Sequence, residues 1–126
     1  MVKKSDHIVD AVITWVDGND PKHKAKIQHY LKDKSSLNSK TLNMRFNQIN
    51  EIEFSVKSIL KYAKFVRNIF IVTDNQTPDF LKNKEFASKY YPTVSIVDHK
   101  IIFKGYHHYL PTFNCLPIES LLYKIP

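Results

Sequence analysis

The chain has 126 residues, 43% of them hydrophobic, enough for one compact domain with a modest core and too little for two. Nineteen Lys and Arg against 12 Asp and Glu give a formal charge of +7, which suits phosphate-rich ligands or an anionic membrane surface. The lysines are scattered and form no dense stripe, which argues against nucleic acid, and a single cysteine, Cys115, excludes an internal disulfide and a Cys-based zinc site.

Residues Ile8 to Val16 (IVDAVITWV) are rich in β-branched side chains and nearly continuous in apolar character, the pattern of a strand covered on both faces. The turn signal DGNDP follows. Asp20 is placed to cap a helix opened by Pro21, with Ile27, Tyr30 and Leu31 inward and lysines on a solvated face. Asp33 to Asn43 is polar and reads as a connection. Asn50 and Glu53 form a capping-box pattern ahead of Ile52, Val56, Ile59, Leu60 and Ala63 at helical spacing.

Asn68 to Thr73 predicts a second buried strand, and Thr77-Pro78 opens a helix running to about Tyr90. Val94 to Val97 predicts a third strand. A loop containing Gly105 leads to a helical stretch from about Leu116 to Lys124. Strands alternating with helices imply an α/β domain of Rossmann-like βαβ units with a mainly parallel sheet, spanning 1–126 as one domain. Gly18 and Gly105 are the only glycines, so a G-x-G-x-x-G fingerprint and a P-loop are both impossible.

Each predicted strand runs into an aspartate: Asp17, Asp74 and Asp98. In a parallel sheet these positions share one edge, where ligands bind. Such carboxylates can hold a divalent cation (Mg²⁺ or Mn²⁺), or each can simply cap a turn or helix. Trp15, the sole tryptophan, can stack on a base or sugar ring or serve as core. Arg45 can clamp a phosphate with its planar fork. His99, just past a strand end, is a candidate acid or base. Glu119 sits beside the apolar residues Ile118, Leu121 and Leu122, facing either crevice or solvent.

Several long strings carry the reading further. DAVITWVDGNDP at 10–21 closely resembles the first conserved region of the Stealth proteins, a family of capsular polysaccharide phosphotransferases. RFNQINEIEFSVKSILKYAKFVRNIFIVTDNQTPDFL at 45–81, VSIVDHKIIF at 94–103 and LPTFNCLPIESLLYKIP at 110–126 resemble most of their second region, in order. The resemblance implies transfer of a hexose-1-phosphate from a nucleotide-sugar donor to a hydroxyl of a polysaccharide or oligosaccharide acceptor, with a divalent cation. With the residues read above, the expected catalytic groups are Asp17, Asp74, His99 and Glu119. The expected substrate contacts are Trp15, Asn19, Arg45, Thr112 and Asn114, and the expected cation ligands Asp74 and Asp98, with capping of the last helix as the alternative role of Asn114. Two departures stand out: Asn47-Gln48-Ile49 replaces an acidic or amide pair, and Thr73-Asp74-Asn75-Gln76 replaces a T-D-G-Q-type turn.

In the resembled proteins the chain continues into a strand ending Asn-Asp-Asp. The expectation is therefore that these 126 residues alone do not transfer sugar phosphate, and that Leu121, Leu122 and Ile125 lack a cover and favour association with another copy. With no apolar signal core after Lys3-Lys4 and no run long enough to span a bilayer, the expected location is cytoplasmic, at most peripheral at the inner membrane face. A non-catalytic binding module of the same fold, or a metal-dependent glycosyltransferase, are the competing readings.

Overall fold

The computed structural model describes residues 7–30, 44 and 47–126. Three strands, β1 (Val9–Thr14), β2 (Val66–Thr73) and β3 (Val94–Asp98), form a sheet in the order β1-β2-β3. Both pairings are parallel, with Thr14 opposite Val72 and Thr73 opposite Asp98. The α/β reading therefore holds, and all C-terminal strand ends lie along one edge.

Central β2 meets the expectation of a strand covered on both faces. Ile69 and Ile71 point into one core cluster, with Ile52, Val56, Phe80 and Val94. Val72 belongs to the other, with Val97, Ile102, Phe103 and Ile118. β1 departs from it: Val9 and Val12 are 40% and 39% exposed. Among the described residues β1 is an edge strand, so its apolar run meets a neighbour on one side only.

Helix α1 (Pro21–Tyr30) starts as expected, with Asp20 Oδ1 accepting from the Lys22 backbone N–H at 2.9 Å. Ile27 is buried as expected, joined by His23 one turn before it, while Tyr30, expected inward, is 54% exposed. Leu31 lies outside the described residues. Helix α2 (Glu51–Tyr62) buries Ile52 and Val56. The capping box does not form, because Asn50 adopts a left-handed conformation (φ 66°) and its carboxamide donates to Glu53 Oε2 at 2.8 Å.

The single helix expected to reach Tyr90 is two, α3 (Asp79–Lys82) and α4 (Lys84–Tyr90). Asn83 breaks it: its side-chain oxygen accepts from the Glu85 and Phe86 backbone N–H groups at 3.0 and 3.1 Å. A short helix α5 (His99–Ile102) follows β3 with no loop, capped by Asp98. At four residues it is too short for periodicity to reveal. The C-terminal stretch is α6 (Cys115–Ser120) followed by a 3-10 turn at Leu122–Lys124. Leu121, Leu122 and Ile125, expected to lack a cover, are half-buried against the Val72–Phe103 cluster.

Candidate functional site

The strand-end edge is organised by Gln76. Its side-chain oxygen accepts from the Asp17 backbone N–H at 2.7 Å, and its amide nitrogen donates to Asp17 O at 3.1 Å and Asp20 Oδ2 at 3.0 Å. One carboxamide thus ties the β1–α1 turn to the end of β2. The Gln76 bond holds the Asp20 carboxyl below the usual range. Asn75, between Asp74 and Gln76, takes φ 52°. Asn tolerates that region better than most residues, so it can stand where the resembled turn has glycine.

Asp17, Asp74 and Asp98 all lie at this edge and are used differently. Asp17 Oδ1 closes its own turn on the Asn19 N–H at 2.8 Å. The Asp98 oxygens accept from Lys100 N at 2.9 Å and Asn75 N at 2.7 Å. Asp74 meets Lys26 Nζ at 2.6 Å.

A cavity of about 280 Å³ opens beside Asp74. Trp15, Asp74, His99, Thr112 and Asn114, all expected site residues, line it together with His23. Trp15 is half-buried, packs against the core and donates from Nε1 to Gln48 Oε1 at 3.4 Å, so it is both core and wall. His23 and His99 are 5% and 3% exposed. Burial lowers the pKa of both, against Asp74, which raises it in each case. Asn114 also caps α6 through Leu116 N at 3.1 Å, and Thr112 Oγ1 accepts from Asn114 N at 3.3 Å.

Other expected residues fall elsewhere. Asp17, Asn19 and Asp98 do not line the cavity. Glu119 does not line the cavity either: it is exposed, next to buried Ile118 on α6. Arg45 lies outside the described residues. A wider recess of about 690 Å³ beside β3, near Leu81 and Tyr91, is lined by no carboxylate, histidine or lysine.

Among the described residues no three His, Cys, Asp or Glu side chains converge as a metal site. With both Asp98 oxygens engaged by backbone N–H groups and Asp74 facing an ammonium, these residues do not by themselves fit a divalent cation.

Three participants were missed from sequence: His23, Gln76 and Lys26. His23 was legible as the residue one turn before Ile27, on the same helix face. Lys26 was assigned to a solvated face, but its flexible stem carries the ammonium to a carboxylate 48 positions away.

The Stealth protein conserved region 1 matches residues 9–35 and conserved region 2 matches residues 45–126. A capsular polysaccharide phosphotransferase of Haemophilus influenzae is 46% identical over 94% of this chain and 30% of its own length. One from Actinobacillus pleuropneumoniae is 41% identical over 94% of this chain and 31% of its own, and one from Neisseria meningitidis 39% over 94% and 31%. The chain thus spans about a third of the length of these relatives.

Proposed function

The chain belongs to the Stealth family, and on that premise we propose that it is the donor-handling part of an enzyme that transfers a hexose-1-phosphate from a nucleotide-sugar to a sugar hydroxyl in capsular polysaccharide synthesis. The observation that carries this is the cavity in which Asp74, His99 and Trp15 face the Thr112–Asn114 segment. Trp15 offers an aromatic face for a base or sugar ring, and Thr112 and Asn114 offer polar groups beside it.

His99 acts as the base. Burial keeps its imidazole neutral near pH 7, able to accept the proton of the attacking hydroxyl. The hydroxyl oxygen bonds to the phosphorus attached to the donor sugar. The bond from that phosphorus to the bridging oxygen breaks, and a nucleoside monophosphate leaves with the electron pair. Asp74 stabilises the imidazolium that forms, as an opposite charge does. The divalent cation implied by the resemblance requires ligands beyond the described ones, and the proton step needs none.

The test is a chimera in which this chain replaces the matching third of the Haemophilus influenzae relative. With nucleotide-sugars and an oligosaccharide acceptor it should form a phosphodiester and release nucleoside monophosphate. His99→Gln should lower kcat by roughly 10²–10⁴-fold, the usual weight of a positioned base. Release of nucleoside diphosphate would establish a glycosyltransferase instead. Donor binding without turnover, read by quenching of Trp15 fluorescence, would establish a non-catalytic module.

A further inference from the structure

A second cavity, of about 540 Å³, lies on the other side of Asp74, lined by Lys26, Tyr30, Lys100, His107 and Leu110. Asp74 is the residue that borders both cavities. The second one gathers two ammonium groups and an imidazole against one carboxylate. His107 Nε2 lies 3.0 Å from the Lys100 carbonyl oxygen, which fixes that wall. The Lys26 and Asp74 side chains are 33% and 17% exposed, so their 2.6 Å pair is reached by solvent.

We propose that this second cavity binds a phosphate oxyanion through Lys26 and Lys100, and that the anion draws Lys26 away from Asp74. The proposal rests on the phosphotransfer reading above and adds a second phosphate subsite to it. A lysine is suited to the exchange: its ammonium is a point charge with three donors on a flexible stem, and its partly exposed pair with Asp74 is weak. The cavity has room for a phosphate with an attached sugar or nucleoside. Exchange has a consequence next door. Lys26 lowers the basicity of His99 and Asp74 raises it. Withdrawing Lys26 removes the first influence and leaves Asp74, with Asp98, working against burial and His23, so an occupied second cavity sharpens the base in the first. The same phosphate chemistry occurs in two ligands, the diphosphate of a donor and the phosphodiester of a growing chain.

The experiment is a titration of the 126-residue chain, followed by backbone amide NMR. Inorganic phosphate, a nucleoside diphosphate and a phosphodiester-linked disaccharide are added in separate arms. Saturable shifts at Lys26, Asp74, Lys100 and His107 are expected. Lys26→Gln and Lys100→Gln should each weaken phosphate binding several-fold and together by about tenfold or more. Asp74→Asn should tighten it, because the competing carboxylate is gone and Lys26 is released. The opposite signs are the signature. Lys26→Gln and Asp74→Asn break the same ion pair, so mere loosening of the fold moves both the same way. Thermal melts of each variant confirm folding. Selective binding of the diphosphate or of the phosphodiester identifies the natural source, and either supports the site. No saturable binding in any arm, or weaker binding in Asp74→Asn, overturns it. Such a failure with transfer intact in the chimera leaves the active-cavity reading standing. An inactive chimera with the opposite-sign shifts present sinks that reading and leaves this site.

Discussion

At the N-terminal end of the sheet, Asp10 accepts from Arg67 Nε at 3.0 Å and from the Asn68 backbone N–H at 3.1 Å, with Arg67 Nη2 on its second oxygen. At the C-terminal end, Asp74 takes one ammonium, Lys26 Nζ at 2.6 Å, and borders two cavities. The first arrangement is a bidentate planar clamp joining β1 to β2, and the Arg67 bonds hold the Asp10 carboxyl below its usual range. The second is a single contact from a mobile stem, beside open space and two buried histidines. The same residue type at opposite strand ends thus closes the fold at one edge and stays available at the other.

The comparison breaks most sharply at Gln76. Gln76→Ala removes the acceptor for the Asp17 N–H and the donor to Asp17 O and Asp20. The expected cost is about 1–3 kcal/mol, since half-buried polar groups lose their partner, read as a lower urea midpoint with an unchanged slope. Trp15 fluorescence should change as well, because the strand it ends is no longer tied. An unchanged midpoint would mean that water replaces the carboxamide at no cost.

Asn75→Val tests the same turn from its backbone. A β-branched residue at φ 52° should cost roughly 1–2 kcal/mol, whereas Asn75→Gly should cost none. Equal stability of the two variants would show that the turn relaxes out of the left-handed region.

The third test uses pH. His23 and His99 have folded pKa values below their ordinary 6.5. The unfolded chain therefore binds more protons below that pH, and stability rises with pH there. Their contribution is complete above about pH 6.5 and is lost as pH falls from there toward the folded values. Asp74 and Asp98 face His99 and oppose the shift, while Lys26 and His23 add to it. The denaturation midpoint should drop between pH 7.5 and 5.5, before the lowered carboxylates Asp10, Asp20 and Glu53 add their own acid loss nearer pH 4. His99→Gln should flatten the upper window. A flat midpoint in the unmodified chain would show that both rings ionise freely.

The smallest effect is expected from Asp10→Asn. The clamp is largely solvent-exposed, and exposed pairs contribute little, less still at high salt. The midpoint should fall less than in Gln76→Ala or Asn75→Val, with the difference shrinking as salt rises. A larger loss than in Gln76→Ala would invert the comparison between the two edges.

Much of this was written in the chain. Apolar runs ending in Asp17, Asp74 and Asp98 determined a parallel sheet with its carboxylates on one edge, because strand period and βαβ connection leave few alternatives. The matched strings already named Trp15, Asp74, His99, Thr112 and Asn114, which one cavity brings together. Tertiary structure decided how each carboxylate is spent. Asp98 turns one oxygen to Lys100 N because a helix begins immediately after it, and the other to Asn75 N across the sheet edge. Asp74 turns to a lysine 48 positions away, where the long stem of Lys26 on α1 reaches the end of β2. Asp17 is held by Gln76 across 59 positions. Glu119 is left exposed, while His23 is carried inward by the face it shares with Ile27. Local propensity and periodicity act over a few residues, whereas these pairings depend on which side chains the packed layers bring within a hydrogen bond of one another.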